Sequence, residues 1–522
     1  MPAFSSYLIL AIAALTIALP FMKGEIKRHT GTVLILGCTL TVLMFFSQVM
    51  KGEAQPGKIQ AQVDAQRYDS GLRFMSLVNV GTGKVSELFG PISDASGKQH
   101  NVMELSNAGL GSMFKKTSAS LQECIKSNPV NTVYKAKLIV LLSVWGQHKD
   151  LLKSSCHDLQ SSNLASEKQL GDALAHTYIQ KDLNKEDYKK DLDTLESEIP
   201  KGWFKENAVL ALHKAYKQGY NDYLKVLESR YVTTAQIGIA FMALALLNFF
   251  IGIVVIIVQL GSLGRNETPV QDSELDVAPV GLDVSLRTVY AVFVGWISSQ
   301  VAIGQLFKLL PKGVFSLGGN PLGISVFSLV SYMIEMIPAF LLIYFLALRP
   351  NGLNPIKAMA LRWKTPGFGP IKLAICGYLG WCAILPLVMM SALIANTMLG
   401  SQGSDNPILA QISAVVESKN TLAIFLLFFT VAVMAPLCEE IIFRGFLYSA
   451  LKTRLGILPA VMISAIIFAG IHMDKGGALM LMALGPVLAL ALDRTRSIFP
   501  SMIAHGLWNG GAFAVTLALF IN

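Results

Sequence analysis

The chain has 522 residues, of which 53% are hydrophobic and only 15% charged, and its mean hydropathy is positive; that balance excludes an ordinary soluble enzyme and describes a membrane protein with several spans. The formal net charge of +9 does not call for nucleic acid, because much of the excess sits in short loops between apolar runs, where it orients the spans. The six cysteines form neither a disulfide framework nor a zinc pattern: Cys38, Cys376, Cys382 and Cys438 lie in or beside apolar runs. Cys124 and Cys156 fall in a polar segment, where an oxidising compartment would allow them to pair.

Residues 4–22 and 31–50 are apolar runs of spanning length, joined by a loop that carries Lys23, Lys27 and Arg28. No basic residue precedes the first run and no small-residue cleavage pattern follows it, so it reads as a retained span. The basic loop is cytoplasmic by the positive-inside rule, which puts residues 51–230 on the non-cytoplasmic side. That segment mixes both signs of charge and has no spanning run. From about residue 121 it reads as amphipathic helices, for example 135–145 and 186–198. Residues 128–159 loosely match 199–230, each with a Pro near the start and a Gly near the middle, Gly146 and Gly219. This hints at stacked helical hairpins of the tetratricopeptide kind, although unrelated helices of a small bundle explain it equally well. Residues 54–116 carry Gly-rich turns and short apolar patches such as 74–80, without a clear period. No cluster of acids, bases or nucleophiles stands out in 51–230, so this segment is expected to recognise a protein partner or to regulate.

A further span is expected at 233–260, followed by a solvated linker at 261–286. Spans then follow at 288–310, 324–348, 371–399, 421–451, 457–471, 478–492 and 498–520. Arg349, Lys357, Arg362, Lys364 and Lys372, then Lys452 and Arg454, then Arg494 and Arg496, all fall on the cytoplasmic side if the spans alternate. The expected fold is therefore all-α: a polytopic membrane bundle of about ten spans with an inserted, mostly helical soluble domain. Its parts are a transmembrane hairpin at 1–50, the soluble segment 51–230, a span and linker at 231–286, and a span-rich core at 287–522.

The polar residues inside the spans gather in the last quarter of the chain. Glu439, Glu440 and Arg444 lie mid-span, His472 closes the next run, and His505 and Asn509 sit in the last; Glu335 stands alone upstream. An ionisable side chain at bilayer depth costs about 2.5–3.5 kcal/mol on insertion scales, so it marks a functional site or a buried pair. Glu440 and Arg444 are four apart, acid first, the favourable order for a pair on one helix face. Glu439 is turned by about 100° from its neighbour and has no local partner. His505 and Asn509 are also four apart and share a face. Gly470, two residues before His472, would let a helix or a substrate backbone approach closely. A carboxylate, two imidazoles and an amide on three spans are the parts of a hydrolytic site. Taken singly, each histidine or Asn is more often an interhelical hydrogen bonder. Glu335 reads as a buried acid satisfied by a neighbour, and the methionines at 473–482 as ordinary packing.

The order Glu439-Glu440-x-x-x-Arg444, Phe468-x-x-x-His472 and His505-x-x-x-Asn509 resembles the CPBP family of intramembrane proteases, the CAAX-processing and bacteriocin-processing or Abi group. The resemblance covers the span-rich second half and does not reach the first two spans or residues 51–230. It implies a core of about eight helices and an endopeptidase acting on membrane-associated proteins or peptides. It also implies that Glu439, helped by His472, activates water, that His505 and Asn509 stabilise the oxyanion, and that Glu440 and Arg444 support. No cofactor is implied. The alternative enzyme is a zinc peptidase with Glu439, His472 and His505 as ligands, against which stands the lack of an HExxH helix. The alternative outside catalysis is a membrane scaffold, immunity protein or transporter.

Overall fold

A computed structural model describes residues 102–127, 131–262, 281–309, 320–399 and 404–520, apart from 147, 181, 182, 201, 405, 407 and 475; before residue 102 it describes only 35, 38, 39, 72, 92, 93, 99 and 100. The expected span 4–22, and nearly all of 31–50 and 54–101, lie outside the described residues. The chain is a polytopic helical membrane protein. Six described helices are long and apolar enough to cross a bilayer: Ala240–Gly261, Leu286–Phe307, Pro321–Asn351, Pro370–Met398, Thr421–Leu455 and Ala478–Thr495. Ile457–Ile471 is apolar but shorter. The last helix, Phe499–Phe520, has 22 residues, and its His, Asn and glycines dilute its hydropathy. The surface of Ala240–Gly261 shows why lipid must cover it: Phe250, Val254, Ile257 and Val258 are each about three-fifths exposed, a continuous apolar stripe that water would not tolerate.

The chain divides into two compact units. One takes in Met1–Ala54, Leu244–Asn406 and Ser418–Ala514; the other takes in Gln55–Ala243, Pro407–Glu417 and Val515–Asn522. In the second unit the described helices Val102–Ser127, Thr132–Trp145, Lys149–Gln160, Ala165–Tyr178, Asp187–Glu198 and Trp203–Ala215 pack around Leu121, Ile139, Leu141, Leu159, Leu174, Phe204 and Leu212. The first of these helices begins well before residue 121. Gly146 ends Thr132–Trp145 in the left-handed region at φ 69, and Gly219 takes φ 70 before the helix that starts at Tyr220, so both glycines do the turning job their spacing suggested. Cys124 and Cys156 are buried free thiols, and burial pushes Cys156 up to about 12. A two-residue antiparallel pair, Ile92–Ser93 with Gln99–His100, is the described β-structure named as strands.

In the membrane unit, the long helix Thr421–Leu455 is bounded by local chemistry. Asn420 accepts the Ala423 N–H at 3.0 Å as an N-cap, and Gly456 stops the helix at φ 82. The linker expected to be solvated ends in a packed strap: Leu282 and Val284 are 2% exposed and join the core, and Leu282 N donates to Ser449 O at 3.1 Å. The Val284 N–H closes a tight turn on the Leu282 carbonyl at 2.9 Å, so both apolar side chains are buried while Asp283 between them stays exposed. Arg454 secures it through Asp283 and the Val284 carbonyl.

Candidate active site

Thr421–Leu455 is not uniformly α-helical. The α-helical stretch Ala435–Glu440 lies between two π-helical segments, Thr430–Met434 and Ile441–Tyr448, a distortion that recurs at functional sites. The last helix docks on the first π segment through Gly506 and Asn509. A Cβ on Gly506 would come within 2.7 Å of the Ala432 carbonyl oxygen, so only glycine permits this approach. Asn509 Nδ2 donates to Val431 O at 3.0 Å. One amide hydrogen of Asn509 is thereby committed to holding the helices together, and the other remains.

That docking carries His505 over the acid pair. Glu440 is 0% and Arg444 1% exposed, and Arg444 Nη1 donates to Glu440 Oε1 at 2.9 Å, so the expected ion pair is formed. His505 Nδ1 meets the same Oε1 at 2.8 Å. The ionised carboxylate can only accept, so the Nδ1 proton is fixed there and Nε2 is turned outward. Nε2 lies 3.8 Å from Glu439 Oε2.

His472 arrives from the other side. It follows Ile457–Ile471 directly, and its Nδ1 lies 2.7 Å from the Phe468 carbonyl oxygen. A carbonyl only accepts, so Nδ1 carries the proton and the neutral ring presents its Nε2 lone pair, again 3.8 Å from Glu439 Oε2. The Phe468 side chain is the floor: its ring centroid is 4.7 Å from His472 and 5.7 Å from His505, and the Arg444 guanidinium stands 4.6 Å above it. Buried Asp474 accepts Gly477 N at 2.8 Å and takes a bond from Ser404.

Glu439 is thus the point of convergence. Its Oε1 accepts from Tyr332 Oη at 3.2 Å. Its Oε2 is buried without a hydrogen-bond partner, as are Glu440 Oε2 and Arg444 Nε; among the described residues only Tyr178 and Tyr448 Oη share that condition. Three of five such atoms fall between Glu439 and Arg444, where unsatisfied polar atoms need an explanation.

The structure therefore brings Glu439, His472, His505, Glu440 and Arg444 together, and holds Asn509 one turn beyond His505 against Val431. Glu335 has no satisfying neighbour. Its backbone oxygen accepts from Trp296 Nε1 at 3.2 Å, while its half-buried carboxylate accepts no hydrogen bond from the described residues. Gly470 has nothing within 4 Å of a would-be Cβ, so no described helix uses the close approach it permits. Tyr332 and Asp474 were missed in the sequence. A tyrosine in an apolar span reads as an interface anchor, and the usable signal was its place three residues before Glu335.

The fold and this cluster define a class: a helical membrane protein with a buried acid between two imidazoles. Residues 421–511 match the family model described as Type II CAAX prenyl endopeptidase Rce1-like, a stretch that contains all three motifs and upholds their resemblance to that protease group. Over 110 residues the chain is 33% identical to the Bacillus subtilis (strain 168) protein named "Putative membrane peptidase YdiL", a match that covers 20% of this chain and 44% of the relative. The chain thus spans less than half the length of that curated relative. No solved structure matches.

Proposed function

We propose that this protein is an intramembrane endopeptidase that hydrolyses peptide bonds of membrane-associated proteins or peptides. The observation that carries the reading is Glu439 Oε2, buried, unbonded, and 3.8 Å from the Nε2 of both His472 and His505. A water there would donate one hydrogen to Glu439 and the other to His472 Nε2, the two acceptors drawing electron density onto its oxygen. The oxygen attacks the scissile carbonyl carbon, and its proton passes to Glu439 and on to the leaving nitrogen as the C–N bond breaks. His505, in its imidazolium form with Glu440 on Nδ1, and the second amide hydrogen of Asn509 are the oxyanion donors. Tyr332 is a positioning residue, since its bond to Oε1 turns Oε2 toward the imidazoles. The substrate is not specified by the CAAX label, because no residue of the site reads a prenyl group. Residues 51–230 would lie on the non-cytoplasmic side and recognise a protein partner or govern access.

Glu439, His472 and His505 are the residue types of an open zinc site, with Phe468 O and Glu440 behind the rings, but among the described residues no group of three or more His, Cys, Asp or Glu is placed to hold a metal ion. Such an ion would act as a Lewis acid on the carbonyl. The metal-free reading ranks first because the HExxH arrangement is lacking. Metal analysis of active protein and an assay after strong chelation separate the two: stoichiometric zinc with loss of activity reverses the ranking.

The test of the function compares membrane peptides from cells carrying wild-type, Glu439→Gln, His472→Ala and Glu335→Gln protein. Cleavage products are expected with wild type and Glu335→Gln, and a fall of about 10²–10⁴-fold with the other two. Full turnover by folded Glu439→Gln would sink the proposal.

A further inference from the structure

Between Glu335 and Asp405 the chain has no carboxylate but five cations, Arg349, Lys357, Arg362, Lys364 and Lys372. Lys357, Arg362 and Lys364 lie in the connection between the spans Pro321–Asn351 and Pro370–Met398, and Arg349 and Lys372 at the span ends that flank it; the structure pins that connection to the turn before the last helix. Ile498 N donates to Ala360 O at 3.0 Å, Ser497 Oγ to Arg362 O at 2.7 Å, and Thr365 Oγ1 to Thr495 O at 2.7 Å. Ala360 and Arg496, neither of them glycine, are held at φ 53 and φ 54 in the two facing turns, a costly conformation that persists where the surroundings fix it.

On this fixed platform the charges are left open. Arg349, Lys357, Lys364 and Lys372 are exposed and have no carboxylate partner among the described residues. By contrast, Lys452 and Arg454 at the end of the motif helix are neutralised by Asp493 and Asp283. Burial, and then the charge of Arg496, push the Arg362 guanidinium below its ordinary value. Between the cations stand bare apolar side chains: Ile356, Trp363 and Ile371 are 60%, 64% and 77% exposed. Trp363 is not loose, since its ring stacks on Phe499 at 3.6 Å with a 16° interplanar angle.

We propose that this platform binds the phosphate headgroups of anionic phospholipids, with Lys357, Lys364 and Lys372 on the phosphates and Ile356, Trp363 and Ile371 at the acyl boundary. Orientation by positive charge alone would require only the sign of the loop. A rigid surface that alternates unpaired cations with exposed apolar groups has the chemistry of a lipid interface, where both kinds of contact are met at once.

Trp363 supplies the reporter. The full chain is reconstituted in phosphatidylcholine vesicles containing equal mole fractions of acyl-brominated phosphatidylglycerol or acyl-brominated phosphatidylcholine. Subtracting the Trp363→Phe protein isolates this ring among the six tryptophans and keeps an aromatic on Phe499. Quenching of Trp363 is expected at a roughly three- to tenfold lower mole fraction of the brominated anionic lipid. High salt should narrow that gap, and Lys357→Gln/Lys364→Gln/Lys372→Gln, checked for unchanged circular dichroism, should close it. Equal quenching by the two lipids in wild type, or a preference that survives in the triple variant, overturns the proposal.

Discussion

In the helices packed around Leu121 and Phe204, Asp191 Oδ2 takes a hydrogen bond from Tyr216 Oη at 2.6 Å and faces His176 Nδ1 at 2.7 Å. Glu167 accepts there on both oxygens, from Thr132 at 2.9 Å and Ser162 at 2.7 Å. On the motif helix of the membrane unit, Glu439 and Glu440 each keep one buried oxygen with no partner. The residue types are the same, acids beside histidines, tyrosines and hydroxyls. Where no buried oxygen lacks a partner, a carboxylate ties helices together; where one is left open next to two imidazoles, it is available to a reacting molecule.

The comparison can be broken most forcefully at Glu440, which belongs to both descriptions. Removing its charge strands Arg444 at 1% exposure, a loss of about 3–5 kcal/mol for a buried pair. Glu440→Gln is therefore expected to fail first in accumulation of folded protein. The apolar double variant Glu440→Leu/Arg444→Met should recover folding, measured by thermal unfolding in detergent, but not turnover, because His505 Nδ1 has lost its acceptor. Recovery of both would reduce Glu440 to packing. A smaller effect is expected at Tyr332. Phenylalanine there removes one hydrogen bond to a charged group, about 1.5–3 kcal/mol, so cleavage should fall by about 10- to 100-fold in protein that is still folded by circular dichroism. Unaltered cleavage by Tyr332→Phe would remove it from the site.

The smallest effect belongs to the satisfied side of the comparison. The Ser162 hydroxyl first, with Thr132 and the Lys135 charge, holds the Glu167 carboxyl below its usual range against the opposing effect of burial. A lowered value in the folded state means that the stabilisation is present above the unfolded value of about 4.3 and is lost as pH falls through the folded one. Glu167→Gln should cost about 1 kcal/mol near neutrality and should abolish that acid-dependent step, as read by hydrogen exchange in Ala165–Tyr178. An acid step of the same size in the variant would assign it to another group.

The contrast also explains what the sequence could show. Glu440 with Arg444 follows from helical spacing within one segment, and so did the isolation of Glu439. The bond from His505 Nδ1 to Glu440 joins residues 65 apart and depends on Gly506 meeting the Ala432 carbonyl, a tertiary fit that no local pattern encodes. The π-helical turns were equally hidden, because the side chains of Thr430–Met434 are ordinary for an α-helix. Residues 281–285 were misjudged because acidic and Gly-rich neighbours mask the alternation of Leu282 and Val284.

Ile457–Ile471 has only 15 residues, a rise of about 22 Å, against a hydrocarbon core of about 30 Å. If that helix starts at the basic interface marked by Lys452 and Arg454, its imidazole stops short of the opposite surface. The depth at which a bond can be cut is then set by the length of a helix and not by the position of an aqueous face. A substrate arriving as a helix has each carbonyl bonded to its own backbone N–H and closed to attack at that depth. Unwinding one turn of the substrate, or presenting an extended end of it, would have to come before the water is used.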